Sequence, residues 1–102
     1  MPSAIISTML PASRFYRAVR EFAVSTPVWG EATRYFTQPD ERFDVTLVSQ
    51  RVYGTRDDFL AVLAAAGLDR FDQELTEREL VLPTKAQLER IKLDTGYTES
   101  VA

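Results

Sequence analysis

Few side chains in this sequence can support covalent chemistry. The chain has 102 residues and contains neither cysteine nor histidine. Thiolate chemistry, cysteine-ligated zinc and nucleophilic triads that use histidine are therefore excluded. Its four glycines, at positions 30, 54, 67 and 96, form no phosphate-binding loop. The sequence predicts no bound cofactor and no metal.

Carboxylates are the remaining candidates for catalysis. A glycoside hydrolase needs two acids across a substrate cleft, and the available acids are Asp57, Asp58, Asp72 and Glu74. A domain of this size has little room for such a cleft. Asp57 and Asp58 follow Thr55 at a predicted helix start, where carboxylates suit the helix dipole. We therefore interpret these acids as helix-start and loop residues and expect no enzymatic activity.

Charge and hydropathy restrict the possible partners. The formal net charge is −3, with +2 in residues 1–37, −5 in residues 38–83 and zero in residues 84–102. An acidic middle argues against nucleic-acid binding. The longest apolar run, residues 59–68, is half the length of about 20 residues that a bilayer span requires. No membrane span and no secretion signal is predicted.

The pattern of residues predicts short helices and strands. Residues 12–24 fit an amphipathic helix with Ser13 as its N-cap, or an extended arm, and residues 25–42 fit an extended segment with a strand near 33–37. Strands are predicted at 43–46 and 79–82. Helices are predicted at 47–53, 56–66 and 84–95, each followed by a glycine. The fold class is α+β.

The central stretch resembles the LysM module. Its residues Asp44-Val45-Thr46-Leu47, Arg51-Val52-Tyr53-Gly54 and Leu80-Val81-Leu82-Pro83 match that family's opening D-T-L-like step, R-x-Y-G-like helix end and closing strand before proline. The resemblance implies a small βααβ module at residues 43–83, followed by a C-terminal helix and tail at 84–102. We expect its core to hold Leu47, Val52, Phe59, Val62, Leu63, Leu80 and Leu82.

A narrower resemblance is to the LysM-like baseplate wedge or tail subunits of contractile-tailed bacteriophages. In those proteins the module follows an aromatic N-terminal arm, which corresponds here to residues 1–42. The resemblance implies a virion structural protein, made in the host cytoplasm, that joins neighbouring tail or baseplate proteins. The alternative is a peptidoglycan- or chitin-binding LysM module. Sugar-binding modules commonly carry Asn after the second helix, where this chain has Ala64-Ala65-Ala66, so we expect glycan binding to be weak or absent.

The arm supplies the candidate protein interface. Aromatic side chains and arginines are typical of interface anchors, and the candidates here are Phe15, Tyr16, Val19, Phe22, Trp29, Tyr35, Phe36, Arg14, Arg17 and Arg20. Trp29, Tyr35 and Phe36 either dock on a partner or cover the module's own core. Tyr53 either lines a ligand groove or, as we favour, packs on the core with its hydroxyl at the surface.

Overall fold

Within residues 3–70 and 73–97, the polypeptide forms four α-helices and one small sheet. The computed structural model describes residues 3–70 and 73–97, with side chains described from residue 12 onwards. The elements are α1 (Ser3–Ser25), β1 (Thr33–Phe36), α2 (Val45–Tyr53), α3 (Phe59–Ala66), β2 (Glu79–Leu82) and α4 (Lys85–Thr95). Short 3-10 turns at Pro39–Glu41 and Arg56–Asp58 precede α2 and α3. The α+β class predicted from the sequence is confirmed.

Helix α1 is longer than the sequence pattern indicated. The stretch 12–24, for which a helix and an extended arm were both considered, lies inside α1, and Ser13 is an interior helical residue instead of an N-cap. The apolar residues Phe15 and Val19 are one helical turn apart on its buried side. Helix α1 packs against α3 and α4 through this side.

The strand predicted at residues 43–46 is wrong. Asp44 is instead the N-cap of α2, because its carboxylate accepts hydrogen bonds from the backbone N–H groups of Thr46 and Leu47. These bonds satisfy donors that an uncapped helix end leaves unpaired. Val45 is therefore already helical. The first strand lies earlier, at Thr33–Phe36, close to the strand predicted near 33–37.

Helix ends agree with the sequence signals. Helices α2, α3 and α4 end at Gly54, Gly67 and Gly96, all with positive φ angles that glycine adopts without steric cost. Thr84 and Gln87 form the predicted capping box at the start of α4. These local rules therefore predicted four of the helix boundaries: three C-terminal ends and the start of α4.

The two strands join distant parts of the chain. Strand β1 pairs antiparallel with β2, with Tyr35 opposite Leu80 and Thr33 opposite Leu82. Leu80 and Leu82 are buried on the inner face of the sheet, while Glu79 is exposed. All of α2 and α3 lies between these strands in the sequence. The pairing therefore brings together the two ends of the segment that contains α2 and α3.

The core lies where α1, α2, α3 and the sheet meet. Of the predicted core residues, Val62, Leu63, Leu80 and Leu82 are buried, and Val52 and Phe59 are partly buried against them. Leu47 is only partly buried. Because α2 already begins at Val45, the side chains that it buries in the core are Val45 and Val48.

Candidate functional site

Two of the predicted interface residues lie in the core of the chain itself. Phe15 and Val19 are 1% and 0% exposed. The ring of Phe15 stacks on that of Tyr97, with centroids 4.5 Å apart. The expectation that these two side chains dock on another protein is therefore wrong, because α3 and α4 already cover them.

Two further candidates hold the C-terminal end of α3. The Tyr16 hydroxyl donates to the carbonyl of Leu68 at 2.7 Å, and the Arg20 guanidinium donates to that of Ala65 at 3.3 Å. The last carbonyls of a helix lack intrahelical partners and carry partial negative charge, so a cation there is stabilising. Burial raises the pKa of Tyr16. Gly67 has a φ of 75°, which favours glycine, and a Cβ there would lie 2.9 Å from Arg20 Cζ, so the guanidinium would have to move.

The remaining basic candidates lie in solvent. Arg14 and Arg17 are exposed on α1. Their role at an interface stays a prediction.

Trp29 lies in a turn whose backbone is held by three hydrogen bonds. The N–H of Gly30 donates to the carbonyl of Pro27 at 2.9 Å, which closes a turn over residues 27–30. Arg34 donates from one nitrogen to Pro27 O at 2.8 Å and from the other to Gly30 O at 3.2 Å. Val28 and Trp29 at its tip are 84% and 85% exposed. We call residues 27–30 the Trp29 turn.

A groove between α1 and α4 lies beside this turn. It is a shallow, largely open depression of about 380 Å³, lined by Phe22, Ala86, Gln87, Arg90 and Ile91. We call it the α1–α4 groove. The Gln87 amide donates to the backbone carbonyl of Glu31 at 3.0 Å, so the segment after the Trp29 turn is fastened to the rim of the groove.

Tyr35 faces inward, where it meets a buried carboxylate. Its hydroxyl donates to Glu41 at 2.5 Å, and Arg51 donates to the same carboxylate at 2.8 Å. Arg51 also pairs with Asp40 at 2.7 Å. Burial, followed by the Glu41 hydrogen bond, raises the pKa of Tyr35, whereas the Arg51 hydrogen bond lowers the pKa of Asp40. This network fixes the connection between β1 and α2.

Phe36 and Phe43 flank that connection on its solvent side. They are 59% and 63% exposed, and the Arg42 guanidinium lies over the Phe43 ring, 5.5 Å from its centroid. We call this pair the Phe36–Phe43 surface. The sequence had placed Phe36 together with Trp29, but Phe36 is the last residue of β1, whereas Trp29 lies in the turn that precedes the strand. Phe43 was missed, because it was expected to begin a strand.

A small depression lies next to Arg42. It encloses about 190 Å³ between the segment before α2 and the segment before β2, which is less than the roughly 300–1,000 Å³ of ordinary ligand pockets. Arg42 and Glu74 form an ion pair of 2.6 Å on its wall. The N–H of Leu75 donates to the carbonyl of Arg42 at 2.6 Å, which joins the two segments.

The acids considered for glycoside hydrolysis have separate positions. Asp58 is paired with Lys92 at 2.8 Å, and both side chains are 9% exposed. Glu74 is paired with Arg42, and Asp57 is exposed in the 3-10 turn before α3. Asp72 lies outside the described residues. The structure therefore assigns Asp58 and Glu74 to ion pairs that join distant segments.

Other kinds of site were sought within the described ranges. No three His, Cys, Asp or Glu side chains there are grouped so that they could hold a metal ion. In the same ranges, no helix combines the length and the apolar character that crossing a bilayer requires.

Comparison with known proteins adds no relative. No family model, no curated protein and no solved structure matches this chain.

Proposed function

We propose that the chain is a non-enzymatic structural subunit of a contractile phage tail or baseplate. In this proposal it is part of the virion and joins neighbouring tail proteins through a LysM-like βααβ module. The first strand of that module is β1 at Thr33–Phe36, ten residues before the strand that the sequence pattern suggested.

The positions of the LysM-like residues support the module. Asp44 caps α2, and Arg51 binds the buried Glu41 in the segment that enters α2. The Tyr53 hydroxyl donates to the carbonyl of Pro83 at 2.7 Å, and Gly54 ends α2. Asp44, Arg51, Tyr53 and Gly54, four of the residues that carry the resemblance, thus have contacts or backbone geometry compatible with such a module.

One observation carries the assembly role: the exposed Phe36–Phe43 surface. Large aromatic side chains that remain in solvent after the core has formed are typical of protein interfaces. Arg42 beside Phe43 adds a guanidinium, the cation that interfaces favour. A neighbouring subunit that covers both rings would remove them from water, at about 1.5–3 kcal/mol for each fully buried side chain.

The test is co-expression of the chain with the tail proteins encoded beside it, followed by size-exclusion chromatography. We expect the wild-type chain to co-elute with at least one of them. The double variant Phe36→Ser/Phe43→Ser should elute alone with an unchanged circular dichroism spectrum. Leu93→Ser, at an exposed apolar position on α4, is the matched control and should still co-elute. Co-elution of the double variant at wild-type stoichiometry would contradict the proposal.

A cell-wall glycan-binding module is the second candidate. The depression beside Arg42 supports it, because Arg42, Glu74, Thr76 and Glu77 offer polar groups for sugar hydroxyls there. Ala64, Ala65 and Ala66 do not bear on glycan binding, because all three are buried in α3.

We still propose that glycan binding is weak or absent. The depression is small, and its strongest polar groups, Arg42 and Glu74, already bind each other. A pull-down with insoluble peptidoglycan tests this directly. Retention of the wild-type chain, with loss of retention in Arg42→Ala/Glu74→Ala, would reverse the order of the two candidates.

A further inference from the structure

The two-stranded sheet leaves one edge of β1 without a partner strand. The Thr37 N–H donates to the carbonyl of Arg78 at 2.9 Å, and this pair continues the register of β1 and β2. In an antiparallel ladder every second residue directs both its N–H and its C=O to the partner strand. The backbone groups of Tyr35 therefore face β2, whereas those of Arg34 and Phe36 point away from it.

Most of these outward groups have no hydrogen bond. The N–H groups of Arg34 and Phe36 and the carbonyl of Arg34 bond to no group in the described parts of the chain. The Phe36 carbonyl accepts one 3.3 Å bond from the exposed Gln38 side chain, which leaves its second lone pair available. Strand β1 packs mainly on β2, and β2 in turn packs on α1 and α3. The outer edge of β1 can therefore pair with one more strand.

The side chains beside this edge restrict the sequence of such a strand. Successive residues of a strand alternate between the two faces of the sheet, so Arg34 and Phe36 share one face, and both are exposed. The Arg34 guanidinium donates to carbonyls of the Trp29 turn, but no carboxylate in the described ranges pairs with it. An acidic residue opposite Arg34 and an apolar residue opposite Phe36 would match both side chains.

We propose that an extended segment of a neighbouring tail subunit adds to β1 as an antiparallel third strand. The segment has an apolar residue opposite Phe36 and, two positions later, an acidic residue opposite Arg34. Main-chain hydrogen bonds hold the segment, and these two side chains select it. The inference rests on the proposed function and specifies how the partner binds at the Phe36 side of the Phe36–Phe43 surface.

Amide hydrogen exchange, read by NMR, gives the first test. The probe is the tail protein that co-elutes with the chain. The Arg34 and Phe36 amides should exchange about tenfold or more slowly in the complex, because each then donates to the added strand. The Tyr35 amide is the internal control, since it already faces β2 in the free chain. Unchanged exchange at Arg34 and Phe36 in a stable complex would overturn this inference and leave the tail function standing.

Two further outcomes of the same experiment are decisive. If no tail protein co-elutes with the chain, this inference and the proposed function fail together. If the isolated chain has a doubled mass in sedimentation and its Arg34 and Phe36 amides exchange slowly without a partner, the edge binds a second copy, and the inference is overturned.

An amide-to-ester change tests the backbone bond itself. Replacement of Phe36 by 3-phenyllactic acid keeps the ring and removes the outward N–H. It also makes the Tyr35 carbonyl a weaker acceptor for Leu80 of β2, which is paired with it. The dissociation constant for the tail protein, measured by calorimetry, should rise about fivefold to tenfold, as expected for one lost hydrogen bond.

The same ester at Phe43 is the matched control. The Phe43 N–H donates no hydrogen bond within the described residues. The ester there weakens the Arg42 carbonyl, which accepts from the N–H of Leu75. Both esters therefore weaken one bond between distant segments, but only the ester at Phe36 removes a donor from the strand edge. Equal dissociation constants for the two ester variants would contradict strand addition.

Two substitutions test for the acidic residue of the partner. Arg34→Gln and Arg34→Lys both lose the forked contact with the Trp29 turn, and only Arg34→Lys keeps the positive charge. Arg34→Gln should raise the dissociation constant about twofold to fivefold, as expected for a lost pair of opposite charges on neighbouring strands. Arg34→Lys should keep a value close to that of the wild-type chain. Equal weakening in both variants would rule out an acidic residue opposite Arg34.

Discussion

At the scale of single residues, Tyr53 shows how a sequence motif becomes a contact. The sequence predicted that its ring packs on the core with the hydroxyl at the surface, and the second half of that prediction is wrong. The side chain is buried, and its hydroxyl donates to the carbonyl of Pro83. This bond ties the end of α2 to the residue that follows β2.

Removal of this hydroxyl should destabilise the protein. Tyr53→Phe leaves the Pro83 carbonyl without its partner, which should cost about 1–3 kcal/mol at neutral pH. Burial also raises the pKa of Tyr53 above its ordinary value of 10.0. The unfolded chain therefore releases the phenol proton first, and wild-type stability falls as the pH rises above 10. The cost of Tyr53→Phe, measured by urea unfolding, should shrink between pH 8 and pH 11. An equal cost at both values would contradict this reading.

The pair between Asp58 and Lys92 is a second residue-scale test. Asp58 is the residue before α3, yet its side chain accepts no capping bond there and instead binds Lys92 of α4. Lys92→Met would leave a buried carboxylate without its cation, at a cost of about 3–5 kcal/mol. Adding Asp58→Asn should restore part of the loss in thermal unfolding. Lys85→Met, at an exposed position, is the control, and an equal loss in that variant would refute the buried-pair explanation.

At the scale of elements, α1 decides how the chain is organised. Phe15 on α1 is buried against α3 and Tyr97, whereas Phe36 at the end of β1 is exposed. Phe15→Ala should therefore cost about 3–5 kcal/mol of unfolding free energy. Phe36→Ala should change it by less than about 0.5 kcal/mol, as exposed substitutions usually do. Similar midpoints for the two variants in denaturant would show that α1 is not part of the core.

Local signals in the sequence predicted the helix ends and a strand near residues 33–37, but they did not predict how that strand pairs, and the strand predicted at 43–46 is wrong. Gly54, Gly67 and the Thr84–Gln87 box act within a few residues, so their effects can be read directly. The pairing of β1 with β2 joins residues far apart in sequence, and no local pattern specifies such a partner. The apolar residues around Asp44 fit the pattern of a short strand. Asp44 is instead an N-cap, so the residues after it are helical.

The candidate surfaces were predictable to different degrees. The exposure of Trp29 could be anticipated, because the surrounding proline and glycine indicate a turn. The α1–α4 groove could not be anticipated, since Phe22 and Ile91 meet only after two helices from opposite ends of the described chain pack together. Val28 at the tip of the same turn was overlooked beside its larger neighbour.

At the scale of the whole molecule, the described segments on both sides of residues 71 and 72 contribute to one core. The sequence suggested that residues 43–83 would fold without the segment before them. Deletion of residues 1–28 removes Phe15 and Val19, two fully buried side chains, from contact with α3. We expect the truncated chain to lose its cooperative thermal transition. A sharp transition with an unchanged midpoint would instead show that residues 29–102 fold without α1.

The stacking of Phe15 on Tyr97 has a consequence for biosynthesis. A ribosome makes the N-terminal residues first, so α1 leaves the exit tunnel while the residues that cover it are still unmade. The apolar side of the nascent helix must wait until α3, and then the segment up to Tyr97, has been translated. During that interval the apolar side of α1 is open to contact with other chains, so slower translation of the codons for residues 59–97 should lower the yield of folded protein, measured as the fraction recovered after centrifugation.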